Sequence, residues 1–225
     1  MTRRRLGAAL SLVLALGVIS RTGPALARAG RVETTVTDQS GKPIADAVVS
    51  LTPSSGPSAA TRGTAAVMDQ INKEFVPLVL PIQVGTAVSF PNRDNIRHHV
   101  YSFSPAKKFE LPLYIGTPAA PVVFDKPGPV ALGCNIHDWM VAYIYVVTTP
   151  YFAKTTNDGR ARLEGLPADT YEARVWHPRQ RSELPAKPIT LGEDEEGHIT
   201  FALILRPEPP RGPRRDPYEG QPRSG

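Results

Sequence analysis

Beta-branched and aromatic runs, broken by Gly, Pro, Asn and Asp about every ten residues, pattern this chain, and no amphipathic helix of useful length interrupts them. That rhythm predicts an all-β molecule, a sandwich or barrel, with strands over 32–37, 47–51, 67–70, 75–84, 87–92, 98–103, 122–125, 130–134, 141–147, 161–163, 171–177 and 198–205. Gln39-Ser40-Gly41-Lys42 and Asn157-Asp158-Gly159-Arg160 place Gly or Asn where a turn needs positive φ. Residues 53–63, rich in Ser, Pro and Ala, and Thr148-Thr149-Pro150 are the boundary candidates.

The N-terminus breaks the rhythm. Met1-Thr2-Arg3-Arg4-Arg5, the apolar run from Leu6 to Ile19 and Ala25-Leu26-Ala27 form a charged region, a hydrophobic region and a small-x-small cleavage site, so residues 1–27 read as a signal peptide for export. The run is shorter than the roughly 18 to 20 residues of a spanning helix, and Arg21 and Pro24 end it, so no membrane span is expected in the mature chain. A periplasmic or extracellular protein is expected. The remaining 198 residues suit two β domains of about 100 each. Beyond Arg206 the chain is Pro, Gly and Arg with hardly an apolar residue, and it is expected to be disordered over 207–225.

Most of the net charge leaves with this segment. Residues 1–27 carry Arg3, Arg4, Arg5 and Arg21 and no acid, so the formal charge falls from +5 to +1. The tail accounts for that last charge, and a neutral body excludes an electrostatic case for nucleic acid.

Cys134 is the only cysteine, so an intramolecular disulfide is excluded, and a free exposed thiol would oxidise outside the cytoplasm. It opens the heptapeptide Cys134-Asn135-Ile136-His137-Asp138-Trp139-Met140. Thiolate, imidazole and thioether in one short loop make a ligand set for copper, and two histidines, a cysteine and a weak axial methionine are the blue-copper arrangement. The upstream segment ending His98-His99-Val100 offers the second histidine. Trp139, between two of these residues, reads either as an apolar docking surface or as a packed shield; His177 and His198 read as ordinary surface residues.

Residues 64–147 resemble the cupredoxin family. Phe75-Val76-Pro77, then Val84-Gly85-Thr86 to Asn92-x-Asp94, is similar to that family's opening strands, and His98-x-Val100 to its first ligand. Pro127-Gly128-x-Val130-x-Leu132-Gly133-Cys134-x-x-His137-x-x-Met140 is similar to the tight ligand loop of amicyanin, within a pattern most like the plastocyanin-like proteins labelled methylamine utilization protein. Thr86 and His99 depart from that family's usual Asp and Asn. The flanks, Val36-Thr37-Asp38 to Val49 and Asn157-Asp158-Gly159-Arg160 to Tyr171, resemble halves of a carboxypeptidase-regulatory-like sandwich.

Together these resemblances imply a Greek-key cupredoxin sandwich at 64–147, inserted in or packed beside a second β-sandwich split over 28–56 and 148–206, with the crossings near Pro53 and Pro150 close in space. They imply a copper cofactor held by His98, Cys134, His137 and Met140, and no catalytic residues. For the upstream ligand the family register selects His98, with His99 as the alternative: plain alternation groups His99 with Tyr101 and Phe103 on the more core-like face, unless a bulge shifts the strand's start. Two function classes follow. One is an electron carrier with a redox partner protein, not an enzyme; the other is a copper-handling or ligand-binding module, for example carbohydrate-binding, without redox role.

Overall fold

The computed structural model describes residues 29–56, 64–118 and 120–208. The fold is all-β, and no helix occurs among the described residues. The expected signal peptide, and the expected tail from residue 209 on, lie outside them.

The chain opens with β1 (Gly30–Asp38) and β2 (Val48–Pro53). Ten strands follow: β3 (Ala65–Val67), β4 (Asp69–Ile71), β5 (Glu74–Val76), β6 (Val79–Gln83), β7 (Thr86–Ser89), β8 (His98–Ser104), β9 (Lys107–Tyr114), β10 (Val122–Phe124), β11 (Gly128–Gly133) and β12 (Val141–Val147). The last five are β13 (Phe152–Lys154), β14 (Arg160–Leu166), β15 (Asp169–Trp176), β16 (Lys187–Leu191) and β17 (Glu196–Leu203).

Two separate hydrophobic cores organise them. The sheet β6-β12-β11-β8-β9 faces the sheet β10-β7-β3 across Ile82, Val88, Phe90, Val100, Phe124 and Ile144. Every residue of that core lies between Ala66 and Val146. The sheet β14-β1-β17 faces β13-β2-β15-β16 across Val32, Leu51, Leu163, Tyr171, Phe201 and Leu203. This second core therefore draws on both ends of the chain, and β1 lies between β14, antiparallel, and β17, parallel.

Where the path leaves one core for the other, the two crossings touch. The Leu51 amide donates to the Tyr151 carbonyl at 2.8 Å and the Thr149 hydroxyl to the Leu51 carbonyl at 2.6 Å. Farther on, Tyr145 of β12 stacks on Trp176 of β15 with centroids 4.4 Å apart and planes 3° apart. An offset aromatic pair of this kind adds about 1 kcal/mol to the area it buries.

The turns obey local chemistry. Gly41 and Gly159 have φ of 86° and 74° in the two turns where positive φ is expected. A Cβ on Gly159 would lie 2.5 Å from the Val36 carbonyl oxygen, so that turn needs glycine twice over.

Several boundaries differ from the sequence expectation. The run 75–84 is broken into β5 and β6 around Pro77, which has no N–H for a ladder, and 67–70 is divided at Met68, whose buried side chain turns into the core. β9, β13 and β16 are additional. β9 and β16 are sheet edges containing Pro112 and Pro188, and an edge strand tolerates a proline that argues against a strand in sequence.

Candidate metal centre

β11 and β12 form a hairpin closed by the pair Gly133↔Val141, so the loop between them is the heptapeptide from Cys134 to Met140. Its closure is tight: a Cβ on Gly133 would lie 2.7 Å from the Tyr101 ring, which therefore crosses β11 directly before Cys134. Cys134 and Met140 turn into the core shared by the two facing sheets and are buried. The Met140 amide donates to the His137 carbonyl at 3.0 Å, which folds the loop back so that His137 stands beside the cysteine.

His98 starts the neighbouring β8. The structure brings His98, Cys134 and His137 together, with one ligand atom from each lying within 4.8 Å of the others. Cys134 Sγ is 3.9 Å from His137 Nδ1. Bonds of about 2.3 Å to sulfur and about 2.05 Å to nitrogen, at a trigonal angle, place the two donors about 3.8 Å apart, so this spacing fits a shared metal ion. The His98 and His137 rings meet edge to face at 4.9 Å.

His98 is fully buried, and its two nitrogens have different fates. Nε2 lies 2.7 Å from Asp94 Oδ2, whereas Nδ1 is buried with no hydrogen-bond partner. A buried polar nitrogen without a partner costs about 1 to 3 kcal/mol unless something fills its lone pair. A metal ion there would do so, and the donor set, one thiol and two imidazoles, suits copper, with the Met140 side chain buried in the same core as Cys134.

Asp94 is a site residue that sequence reasoning left without a role. It accepts the Asn72 amide at 2.7 Å and the Lys73 amide at 2.8 Å. Asn72 and Lys73 both have left-handed backbones, φ 56° and 61°, in the two-residue turn joining β4 to β5. Burial works to raise the Asp94 carboxyl, but the His98 hydrogen bond and these two amides outweigh it and hold it below the ordinary carboxylate value. A carboxylate on the outer nitrogen of a ligating histidine fixes its tautomer and orientation. The only sequence signal was an Asp four residues before the histidine.

His99 goes elsewhere. Asn135 Nδ2 is 2.6 Å from its Nδ1, its ring leans on Tyr101, and its Nε2, also buried without a hydrogen bond, lies 2.9 Å from Glu110 Oε1 rather than within reach of the Cys134 and His137 donors. A register irregularity between His98 and Val100 lets the strand turn both histidines inward in succession.

His137 is partly exposed. Burial first, and then charge interaction with His98 and Lys73, lower its pKa, which favours the neutral ring a metal requires. Trp139 packs 5.1 Å from the His137 ring and also lines a cleft beside the loop.

The other histidines divide. His198 is exposed, near Glu196 and Glu33, and Arg31 and Arg162 neutralise those carboxylates. His177 is buried rather than a surface residue: its Nδ1 accepts the Arg179 amide at 3.2 Å, and burial, with Arg179 adding to it, lowers its pKa to about 4.

No protein-family model matches this chain, and no curated protein matches it. Among solved structures it is similar to a copper-containing nitrite reductase from Thermus scotoductus SA-01, 26% identical over 41% of this chain and 25% of that one, with TM-score 0.36. The chain thus spans about a quarter of that reductase's length. It is also similar to a purple cupredoxin from Nitrosopumilus maritimus, 26% identical over 37% of this chain and 99% of that one, TM-score 0.32. A mutant of amicyanin in its reduced Cu(I) form is 23% identical over 44% of this chain and 98% of that one, TM-score 0.34.

Proposed function

We propose that this chain is an exported type 1 copper protein that carries electrons to or from a redox partner protein, with His98, Cys134, His137 and Met140 as its ligands. The supporting observation is the buried, partnerless Nδ1 of His98 set within 4.8 Å of the Cys134 and His137 donors. We assign the metal-holding sandwich to residues 64–147 and the flanking sandwich to 28–56 with 148–206.

Copper bound there supplies a one-electron couple at a site whose donors are already assembled. Asp94 keeps the His98 ring oriented through Nε2, and the Asn72 and Lys73 amides keep Asp94 in place. Cys134 and Met140 lie in a close-packed core, which resists rearrangement between oxidation states and excludes water from the sulfur. His137 alone of the four is partly exposed and gives the shortest way out to a partner's surface. Four protein ligands leave no readily open position for a substrate, which favours a carrier over a catalyst.

Copper loading of the purified protein tests this reading. An intense visible band that disappears on reduction is expected, lost in Cys134→Ser; Met140→Leu is expected to keep copper and move the potential, because a thiolate ligand would carry most of the covalency and a thioether would bind only weakly. A colourless Cu(II) complex without a reversible redox wave would rule out electron transfer and leave the copper-handling role.

A further inference from the structure

The sheet β6-β12-β11-β8-β9 ends in two unlike edges. Toward one of them, Tyr145 of β12 is stacked on Trp176 of the flanking sandwich. At the other, β9 is paired with β8 alone, and no other described strand lies against it. An open edge is a template for a further strand, and proteins commonly guard it with lysine or proline. The charges of β9 are not simply guards. Lys107 is drawn aside to Asp125 at 3.0 Å. Lys108 is exposed and has no ion-pair partner among the described residues, while Glu110, two positions on and so on the same face, is 66% exposed.

These opposite charges straddle Phe109, which makes the edge self-complementary. Two copies of β9, antiparallel about a two-fold axis at Phe109, set Lys108 opposite Glu110 of the second copy, and the symmetry makes that pair twice. Residues directly opposite in an antiparallel pair bring their Cβ atoms to about 5 Å. Moving the axis to Lys108 or to Glu110 would set like charges face to face, so charge selects one register. In that register Pro112, which has no amide, falls opposite the Pro105-Ala106 turn of the second copy and outside the ladder 107–111. Apolar shape agrees with it. A hollow of about 590 Å³ at that turn is lined in part by Phe103, Pro105 and Ala106, and Phe103 is 78% exposed. The register carries Leu113 and Ile115 of the second copy, 50% and 55% exposed, toward this hollow.

We propose that two copies of this chain pair through β9, antiparallel about Phe109, and join two five-stranded sheets into one of ten strands. Lys108 pairs with Glu110 of the second copy on both sides of the axis, and Leu113 and Ile115 seat against Phe103 and Pro105. No metal ligand takes part, so the inference stands apart from what the metal site holds. A five-residue ladder is a small contact, and the dimer is accordingly weak and reversible on dilution.

Sedimentation of the full chain from about micromolar to about millimolar concentration tests this, and a rise from one copy to two is expected. Lys108→Glu and Glu110→Lys each turn two attractive pairs into repulsive ones and are expected to weaken association at least about tenfold. The double variant exchanges the signs and keeps the pairs, so it is expected to associate within about threefold of the original chain. In the unaltered chain, amide exchange over 107–111 is expected to slow as concentration rises, with the opposite edge strand β6 unchanged. A single copy at every concentration, single variants that associate as well as the original, or β9 exchange indifferent to concentration would overturn the proposal. So would a folded double variant that associates no better than the single ones, because the register would then be wrong.

Discussion

Asp94 Oδ2 and His98 Nε2 stand 2.7 Å apart, and this one contact decides which nitrogen of a fully buried imidazole is left open. The carboxylate does not choose its own place. A left-handed two-residue turn far upstream in the chain presents two amides to it, so the geometry at His98 is inherited from the β4–β5 hairpin.

Asp94→Asn is therefore expected to weaken copper binding by roughly 10- to 100-fold while leaving the visible band recognisable, the effect usual for losing a carboxylate behind a metal-bound histidine. Titration against a competing chelator reads this directly. Unchanged affinity would restrict Asp94 to holding the hairpin turn.

The two adjacent histidines should separate cleanly. His98→Ala is expected to abolish the type 1 spectrum, and His99→Asn to retain it with at most a shifted potential, because His98 and not His99 lies within ligand distance of Cys134 and His137, and Asn135 holds His99 Nδ1. The opposite outcome would make His99 the ligand and reassign the register of β8.

Gly159→Ala should be among the most damaging single-methyl additions to the flanking sandwich. The new Cβ would meet the Val36 carbonyl oxygen at 2.5 Å, and φ of 74° is strained for any residue with a side chain. Backbone cannot swing aside, so a loss of about 2 kcal/mol or more is expected in urea unfolding. Copper affinity, read on the folded protein, should barely change.

Acid should destabilise the flanking sandwich through His177. Its folded pKa of about 4 lies below the ordinary 6.5, with burial as the main cause and Arg179 adding to it against the opposing charges of Asp46 and Glu208. Above pH 6.5 both folded and unfolded states hold the ring neutral, and no stability depends on it. As pH falls from 6.5 to about 4 the unfolded state takes up a proton that the folded state refuses, and roughly 3 kcal/mol is lost by the end of that window. Urea midpoints at about pH 7, 5.5 and 4.5 should show that slope, and His177→Gln should flatten it.

The sequence made some of this legible and hid the rest for physical reasons. β12 could be read to the residue because a central strand packed on both sides carries an unbroken apolar run. β9 could not, because an edge strand needs no apolar alternation and tolerates Pro112. Cys134, His137 and Met140 announced themselves by spacing within one loop. Asp94 did not: its role depends on amides of Asn72 and Lys73, and backbone donors leave no trace in residue identity. His177 misled for the opposite reason, since a histidine at a strand end looks solvent-facing until the turn after it folds back: Arg179 and Gln180 bond to it, and it is buried.

The parallel pairing of β1 with β17 sets an order of assembly during synthesis. A ribosome releasing this chain delivers every strand of the core that holds Cys134 by Val147, whereas β1 must wait for residues up to Leu203 before its second neighbour exists. The inner sandwich can thus be finished while the outer one is still an open edge, and any chaperone serving this protein has β1 and β2 to guard in the interval.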